Sequence, residues 1–104
     1  MLTEFLDKVS DAICLWGESV ESKSLNFEEM RLRLKERYQF NEYDVEVLLA
    51  SLLCKSRVTV YEETIGYTPV KIIIFGQADM GRIAEISLQH TIDYMDTRVD
   101  ELDQ

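Results

Sequence analysis

One boundary in the sequence constrains the fold more than any other feature: a leucine-rich helical segment leads directly into two β-branched segments. Between residues 41 and 56, apolar residues recur at the three- and four-residue intervals of an α-helix. From Arg57 onward the pattern changes to "RVTVYEE" and "VKIIIF", joined by "TIGYTP", whose Gly66 and Pro69 favour a turn. The chain is therefore predicted to be α+β, with a β-hairpin that follows a helix.

Two helices are predicted before this boundary. In "LTEFLDKVSDAICLWGESV", apolar residues recur at helical spacing and define a first amphipathic helix. The second helix follows Asn26, which is predicted to cap it while Glu29, three residues later, completes a capping box. The predicted apolar faces consist of Leu2, Phe5, Leu6, Val9, Ile13, Trp16 and Val20 in the first helix, and of Phe27, Met30, Leu34 and Tyr38 in the second.

The leucine-rich segment and the C-terminal segment complete the predicted helices. Asn41 and Asp44 repeat the capping pattern, so a tight polar turn is expected before a third helix that ends near Ser56. After Gly76 the helical spacing returns and runs almost to the end of the chain, with Gly81 as a weak helix former. A length of 104 residues is typical of a single domain.

The segments "SLNFEEMRLRL", "NEYDVEVLLASLL" and "RVTVYEETIGYTPVKIIIF" together resemble the winged helix-turn-helix superfamily, over residues 2–75. The resemblance implies an α+β winged helix, with three helices, a β-hairpin wing and a short strand at Leu25, to which this chain adds a C-terminal helix. It divides the chain into a winged-helix domain at 1–75 and a C-terminal helix at 76–104 that we expect to mediate dimerisation. Many winged-helix proteins bind DNA and many others bind proteins, so the fold alone assigns no function.

The charge of the chain disfavours nucleic acids and anionic membranes as partners. The net charge is −9, whereas phosphate binding draws on many Lys and Arg contacts. Residues 26–60 hold six acids and six bases, and residues 76–104 hold seven acids and two bases, so a basic surface is expected only on the middle segment. The acidic N-terminal segment and the lack of a membrane-length apolar run lead us to expect a cytoplasmic protein.

The third helix carries two apolar sides. The side predicted to face the core contains Val45, Leu48, Leu49, Leu52 and Leu53. The nearly opposite side carries a second apolar stripe formed by Tyr43, Val47, Ala50 and Cys54. A helix that reads DNA presents Arg, Lys, Asn or Gln on such an outward side. We therefore expect this helix not to read bases, and the stripe to be covered either by the C-terminal helix or by a partner protein.

Basic residues of the middle segment support an alternative function. In this alternative, the protein is a dimeric transcriptional regulator that contacts DNA phosphates through Arg31, Arg33, Lys35, Arg37, Lys55 and Arg57. Glu28, Glu29 and Glu36 alternate with the bases of the second helix, and pairing at helical spacing would make this a solvated charged face.

The C-terminal helix shows the spacing of a short coiled coil. The apolar residues at four- and three-residue intervals are Leu88, Ile92, Met95, Val99 and Leu102. Two arrangements satisfy this pattern: the seam packs on the first helix of its own chain, or it packs on a second copy. We expect the second arrangement, which makes the protein a homodimer.

No chemical motif accompanies these elements. His90 is the only histidine, the four glycines form no phosphate-binding loop, and Cys14 and Cys54 are predicted to be free buried thiols. We therefore expect no enzymatic activity, cofactor, metal site or small-molecule substrate. The pattern favours a protein-protein interaction module, an adaptor or regulator, that binds its partner through Tyr43, Val47, Ala50, Cys54 and Tyr67. A third hypothesis is an acidic mimic of DNA that uses Asp93, Asp96, Asp100, Glu101 and Asp103.

Overall fold

The computed structural model describes the backbone of residues 2–65 and 67–103, and the side chains of residues 4–64, 67–93, 95 and 96. Within these residues, four helices and three strands form an α+β fold, as the sequence predicts. In chain order they are α1 (Leu2–Ser19), β1 (Ser24–Asn26), α2 (Phe27–Tyr38), α3 (Glu42–Cys54), β2 (Val58–Ile65), β3 (Thr68–Phe75) and α4 (Met80–Asp103).

The three strands form one antiparallel sheet in the order β1-β3-β2. Strands β2 and β3 pair along their whole length, up to Ile65 opposite Thr68. The turn predicted over "TIGYTP" is therefore too long, because Pro69 lies within β3, opposite Thr64. Strand β1 pairs with β3 only at residues 72–74, so the missing N–H of the proline falls where β3 has a single neighbour.

Strand β3 is buried on both faces because alternate side chains of a strand point in opposite directions. Ile73 and Phe75 belong to the larger core, together with α1, α2 and α3. Ile72 and Ile74 belong to a smaller core on the other face, where α4 contributes Ile86. The remaining buried apolar residues of the larger core are Val9, Ile13, Cys14, Leu25, Met30, Leu34, Phe40, Val45, Leu48, Leu52 and Val58.

Side-chain caps define where α2 and α3 begin. Asn41 and Asp44 form the predicted capping box at α3: the Asp44 N–H donates to Asn41 Oδ1 at 2.8 Å, and the Asn41 N–H donates to Asp44 Oδ2 at 2.9 Å. Asn26 caps α2 as predicted, but its Oδ1 accepts from the N–H of Glu28 at 2.9 Å. The second half of the predicted box, from Glu29, is wrong: the cap bonds two residues along the chain, so it does not adopt the reciprocal geometry.

A left-handed residue connects α2 to α3. Gln39 has φ 55°, and the N–H groups of Gln39 and Phe40 donate to the carbonyls of Lys35 and Leu34, respectively. The bond from Gln39 to Lys35 is that of the αL motif, in which a left-handed residue ends a helix and redirects the chain. As a result Phe40 turns back into the core, where it is buried.

Ion pairs hold α1 against the end of α3 and the start of β2. Lys55 Nζ lies 3.1 Å from Asp7 Oδ1, and Arg57 Nη1 lies 2.8 Å from Asp11 Oδ1. The hydrogen bond with Asp11 raises the pKa of Arg57, so the guanidinium of Arg57 is charged at every physiological pH. Because these side chains are solvent-accessible, each pair contributes at most about 1 kcal/mol to stability.

Helix α4 is attached to the sheet at three places. Asp79 precedes the helix and accepts the Arg82 N–H at Oδ1, 2.8 Å away, while Arg82 Nη2 donates to the carbonyl of Phe75 at 3.0 Å. Further along, Ser87 Oγ donates to Glu63 of β2. His90 Nε2 lies 3.1 Å from the Oγ of Ser24 in β1. The helix therefore packs across the sheet. The seam residues with described side chains, Leu88, Ile92 and Met95, are exposed, so the arrangement in which the seam packs on α1 is wrong for them.

Gly17 allows α1 to approach the sheet closely. It is buried, and a Cβ at this position would overlap the ring of Phe75. The ring is itself almost fully buried, so it has little room to move aside. The sequence shows Gly17 only as a weak helix former near the end of α1, whereas the structure shows that the missing side chain makes room for Phe75.

We predict that Gly17→Ala lowers the free energy of unfolding by roughly 1–3 kcal/mol, because the added methyl group overpacks the core. Urea denaturation monitored by Trp16 fluorescence measures this change. In the Gly17→Ala background, Phe75→Leu should cost less than in the wild type, because the smaller side chain relieves the overlap.

The matched control is Gly81→Ala in the first turn of α4, where a Cβ would lie at an ordinary 3.4 Å from Asp79 Oδ1. Its effect should stay below about 1 kcal/mol. Equal effects of the two substitutions would contradict the packing role assigned to Gly17.

Candidate protein-interaction surface

A cleft of about 470 Å³ opens between α1 and α3 at the end of α2. Its volume falls within the range of roughly 300–1,000 Å³ that is typical of ligand pockets. Mostly apolar and aromatic side chains line it, and we refer to this set as the cleft: Phe5, Leu6, Tyr38, Phe40, Tyr43, Asp44 and Val47.

Three aromatic rings shape the interior of the cleft. The Phe5 ring lies edge-on to Tyr38, with centroids 6.2 Å apart, and the Phe5 and Phe40 centroids are 6.1 Å apart. Tyr38 and Phe40 complete the triangle at 6.0 Å. Phe40 is buried and forms the floor, whereas Phe5 is 45% exposed and forms part of the wall. Mutual packing of this kind restricts the rings and makes the cleft a preformed feature.

The apolar stripe of α3 continues from the cleft and is open to solvent. Tyr43 is 71% exposed and Val47 is 37% exposed, and Ala50 and Cys54 are exposed as well. We refer to these four residues as the outer stripe. Helix α4 packs against the opposite side of the sheet, so the expectation that it covers the outer stripe is wrong. From Tyr43 to Cys54 the stripe is about 16 Å long at 1.5 Å per residue.

Two sequence predictions about α3 need correction at its C-terminal end. Leu53, which we predicted to face the core, is exposed, and Cys54 is an exposed rather than a buried thiol. The inward side of α3 is formed by Val45, Leu48 and Leu52, with Leu49 half-buried. The chain turns towards β2 directly after Cys54, so the core does not extend far enough to cover Leu53.

Acidic residues outnumber basic residues in the segments that form the cleft. Segments 4–8 and 37–47, which form the cleft and its rim, contain five acids and two bases. Glu4, Glu42 and Glu46 are exposed, as are the two bases, Lys8 and Arg37. Asp7 is paired with Lys55, and Asp44 bonds to Asn41 in the capping box. The whole of α3 contains no Lys, Arg or His. The segments that form the apolar cleft and its rim therefore carry a net negative charge, with Glu46 beside the outer stripe of α3.

Tyr67 lies away from the other predicted partner-binding residues. It is fully exposed beside the hairpin turn, and the neighbouring Thr68 shares a depression with Asn26 and Glu28 at the start of α2. The cleft lies at the other end of this 12-residue helix, about 18 Å away at 1.5 Å per residue. The structure therefore brings Tyr43, Val47, Ala50 and Cys54 together on one surface and places Tyr67 on another.

Most of the predicted phosphate-binding residues have partners within the chain. Arg31 Nη2 lies 2.8 Å from Glu28 Oε2, and the hydrogen bond with Glu28 raises the pKa of Arg31. The guanidinium of Arg33 lies 4.1 Å from the centre of the Trp16 ring, in a cation–π contact. Lys55 and Arg57 are paired with α1, as described above. Lys35 and Arg37 are exposed on the last turn of α2.

The predicted coiled-coil seam of α4 is exposed wherever its side chains are described. Leu88 is 61%, Ile92 is 44% and Met95 is 57% exposed. The opposite side of the helix packs on the sheet through Ile83 and Ile86. Val99 and Leu102 of the seam lie outside the described side chains. The hypothesis of a DNA mimic involves five acidic residues of α4. Asp93 and Asp96 are exposed, and Asp100, Glu101 and Asp103 lie outside the described side chains.

The one histidine of the chain takes part in a structural hydrogen bond. His90 is hydrogen-bonded to Ser24 Oγ, which in turn lies 2.8 Å from Ser22 Oγ. Among residues with described side chains, no group of three or more His, Cys, Asp and Glu residues is arranged to hold a metal ion.

Phe5, Tyr38 and Phe40 belong to the candidate surface but were not predicted as site residues. The sequence assigns Phe5 and Tyr38 to apolar helix faces, and that assignment does not distinguish a core position from the wall of a cleft. The usable signal is the aromatic pair in "YQF", where Tyr38 ends α2 and Phe40 lies in the short connection to α3: large apolar side chains at such a junction have to pack against their neighbours.

Comparisons of the chain with family models, with curated proteins and with solved structures find no match. None of the helices in the described part of the chain combines the length and the apolar character needed to cross a membrane.

We predict that the two thiols differ in reactivity. Cys54 is exposed on the outer stripe, whereas Cys14 is buried and burial raises the pKa of its thiol, which reduces the reactive thiolate. Titration of the folded protein with a chromogenic disulfide reagent should show about one fast-reacting thiol per chain, and the other only after denaturation. The Cys54→Ser variant should lose the fast phase. Two equally fast thiols in the folded wild type would contradict the exposure assigned to these residues.

Proposed function

We propose that this chain is a non-enzymatic winged-helix module that binds another protein and acts as an adaptor or regulator. The winged-helix assignment is supported by the order of α1, β1, α2, α3, β2 and β3 and by a sheet in which β1 lies next to β3. In this assignment the hairpin of β2 and β3 is the wing, and α3 occupies the position of the helix that reads DNA in other members.

The observation that carries the proposal is the exposed outer stripe of α3. A helix that reads bases needs donors and acceptors on its outward side, but here that side presents Tyr43, Val47, Ala50 and Cys54. Contiguous exposed apolar surface next to a preformed cleft is typical of a protein-binding site. Aromatic residues such as Tyr43 are frequent anchors in interfaces, since they bury a large area at a small cost in conformational entropy.

The alternative is a dimeric DNA-binding regulator that contacts phosphates through the basic residues around α2. Its support is the local concentration of bases in residues 31–37. The contacts of Arg31, Arg33, Lys55 and Arg57 within the chain disfavour it, because binding to phosphate would have to replace them. The net charge of −9 further opposes association with a polyanion.

We also propose that the module forms a homodimer through α4. The exposed side chains of Leu88, Ile92 and Met95 follow the spacing of a coiled-coil seam. The opposite side of α4 is already in contact with the sheet. A second copy that packs against the seam would remove this apolar surface from water, which is the main driving force for such association.

We predict that capture of a stoichiometric partner from native lysate is lost in the double variant Tyr43→Ala, Val47→Asp, because this variant removes the aromatic anchor and places a charge in the cleft. Affinity capture followed by mass spectrometry measures it. The matched control is Leu15→Ala, Leu32→Asp, which makes the same kind of change at two exposed apolar residues outside the cleft and should keep the partner.

A DNA titration at two salt concentrations, on the same preparations, decides between the two functions. If the chain is a protein-binding module, its binding to duplex DNA is weak and does not depend on Arg33 and Arg37 of α2. Tight, salt-sensitive binding to duplex DNA that is lost in Arg33→Ala, Arg37→Ala would establish the DNA-binding alternative instead. Circular dichroism of that variant checks that loss of the Arg33–Trp16 contact has not unfolded it.

We predict that the wild-type chain is dimeric in light scattering at tens of micromolar, a generous concentration for a specific dimer. Ile92→Asp, Met95→Asp should be monomeric because it brings charges into the seam. The matched variant Ile92→Asn, Met95→Gln removes the apolar surface without adding charge and should also shift the mass towards the monomer. A monomeric wild type at this concentration would rule out dimerisation through α4.

A further inference from the structure

We propose that the cleft between α1 and α3 binds a basic amphipathic helix of the partner protein. The inference rests on the proposed function and specifies the chemistry of the partner: an apolar helix face for the cleft, and Lys and Arg residues for its rim.

The shape of the cleft favours a helix as its occupant. Its lining comes from α1, from the end of α2 with the following connection, and from α3, and none of the lining residues belongs to a strand. A partner strand added to a sheet needs an exposed row of backbone N–H and C=O groups, which helices do not present. A groove between two helices instead accepts the side-chain ridges of a third helix.

The size of the cleft fits side chains that protrude from one face of such a helix. An engineered cavity of about 150 Å³ holds one benzene molecule, and the cleft of about 470 Å³ is roughly three times larger. Phe40 at its floor and Phe5 and Tyr38 at its walls present apolar surface to the incoming side chains. Along the outer stripe, Ala50 is small enough to let a partner backbone approach closely.

The charge of the rim selects a basic partner. Glu4, Glu42 and Glu46 are exposed around the apolar surface, and the two segments that form the cleft and its rim hold five acids against two bases. Lys and Arg residues that flank the apolar face of a helix would meet these carboxylates at the border of the interface, where charge complementarity increases the association rate and the specificity.

The same charges disfavour a second copy of the chain as the occupant. Two copies that pack cleft to cleft would bring together two surfaces with an excess of acids, and like charges at an interface are repulsive. No Lys, Arg or His is available anywhere on α3 to compensate. The seam of α4 lies on the other side of the sheet, so dimerisation there would leave the cleft accessible.

The test is a selection from a display library of random peptides, with full-length protein as the immobilised target. The library is first depleted on the Val47→Asp variant. Because this variant is more acidic than the wild type, depletion removes peptides that bind through charge alone and retains those that need the cleft. The recovered peptides should carry apolar residues at the i, i+3, i+4 and i+7 positions of a helix and an excess of Lys and Arg.

A fluorescent synthetic copy of the strongest peptide then measures affinity by anisotropy. Its Kd should rise at least ~10-fold in Tyr43→Ala and in Val47→Asp, as for an interface anchor. It should also rise ~10-fold in Glu42→Lys, Glu46→Lys, and by a smaller factor in the milder Glu46→Gln, which leaves the start of α3 intact. The control variant Leu32→Asp should leave the Kd unchanged.

Each other result overturns the inference in a distinguishable way. Cleft-dependent peptides that are neutral or acidic would refute the basic partner while leaving the proposed function in place. A selected peptide whose Kd is unchanged in Tyr43→Ala, a variant that plays no part in the depletion, would show that the cleft is not the docking surface. A lower mass of Val47→Asp in light scattering would identify a second copy as the occupant. The proposed function fails on separate results: capture from lysate that does not depend on Tyr43 and Val47, or tight, salt-sensitive binding to duplex DNA.

Discussion

The burial of strand β3 on both faces is the constraint on which the rest of the structure depends. Its last four side chains, Ile72–Phe75, are almost completely excluded from solvent. Alternation along the strand sends two of them to each side, so each face of the sheet needs a cover. Helices α1, α2 and α3 cover one face and α4 covers the other, while β1 and β2 satisfy the backbone of β3 at its two edges.

The candidate surface is a consequence of how the three helices cover the first face. Their inward sides meet over Ile73 and Phe75, and the absence of a side chain at Gly17 lets α1 come close enough to contact the Phe75 ring. Away from the sheet, α1 and α3 leave a gap that Phe40 fills only from below. The cleft is therefore formed by the outer residues of helices whose inner residues are committed to the core.

The distribution of charge follows from the same packing. Lys55 and Arg57 pair with Asp7 and Asp11 and join α1 to the end of α3 and the start of β2, and Arg33 covers Trp16. In these contacts, three basic residues of the middle segment interact with side chains of α1 and not with an external partner. The exposed acids near the start of α3, Glu42 and Glu46, have no basic residue on their own helix. A chain with balanced charge in residues 26–60 thus acquires an acidic rim on one surface.

Local patterns by themselves determined most of the secondary structure of this protein. The capping box of Asn41 and Asp44, the cap at Asn26 and the β-branched run of β3 act over a few residues, so their physical effects are readable from the chain. The same holds for the outer stripe of α3, because helical periodicity alone separates it from Val45, Leu48 and Leu52. The run "VKIIIF" also carried a signal for a strand buried on both faces, since it does not alternate with polar residues.

Only the tertiary structure decided which apolar faces are covered. Periodicity places Leu53 with the core residues and Phe5 with the face of α1, but exposure depends on where a neighbouring element begins and ends. The chain leaves α3 after Cys54, so Leu53 stays exposed, and α4 packs on the sheet rather than on α1 or α3, so the outer stripe and the seam at Leu88, Ile92 and Met95 stay open. Burial is a property of contacts between elements distant in sequence, and a local pattern contains no information about their separation in space.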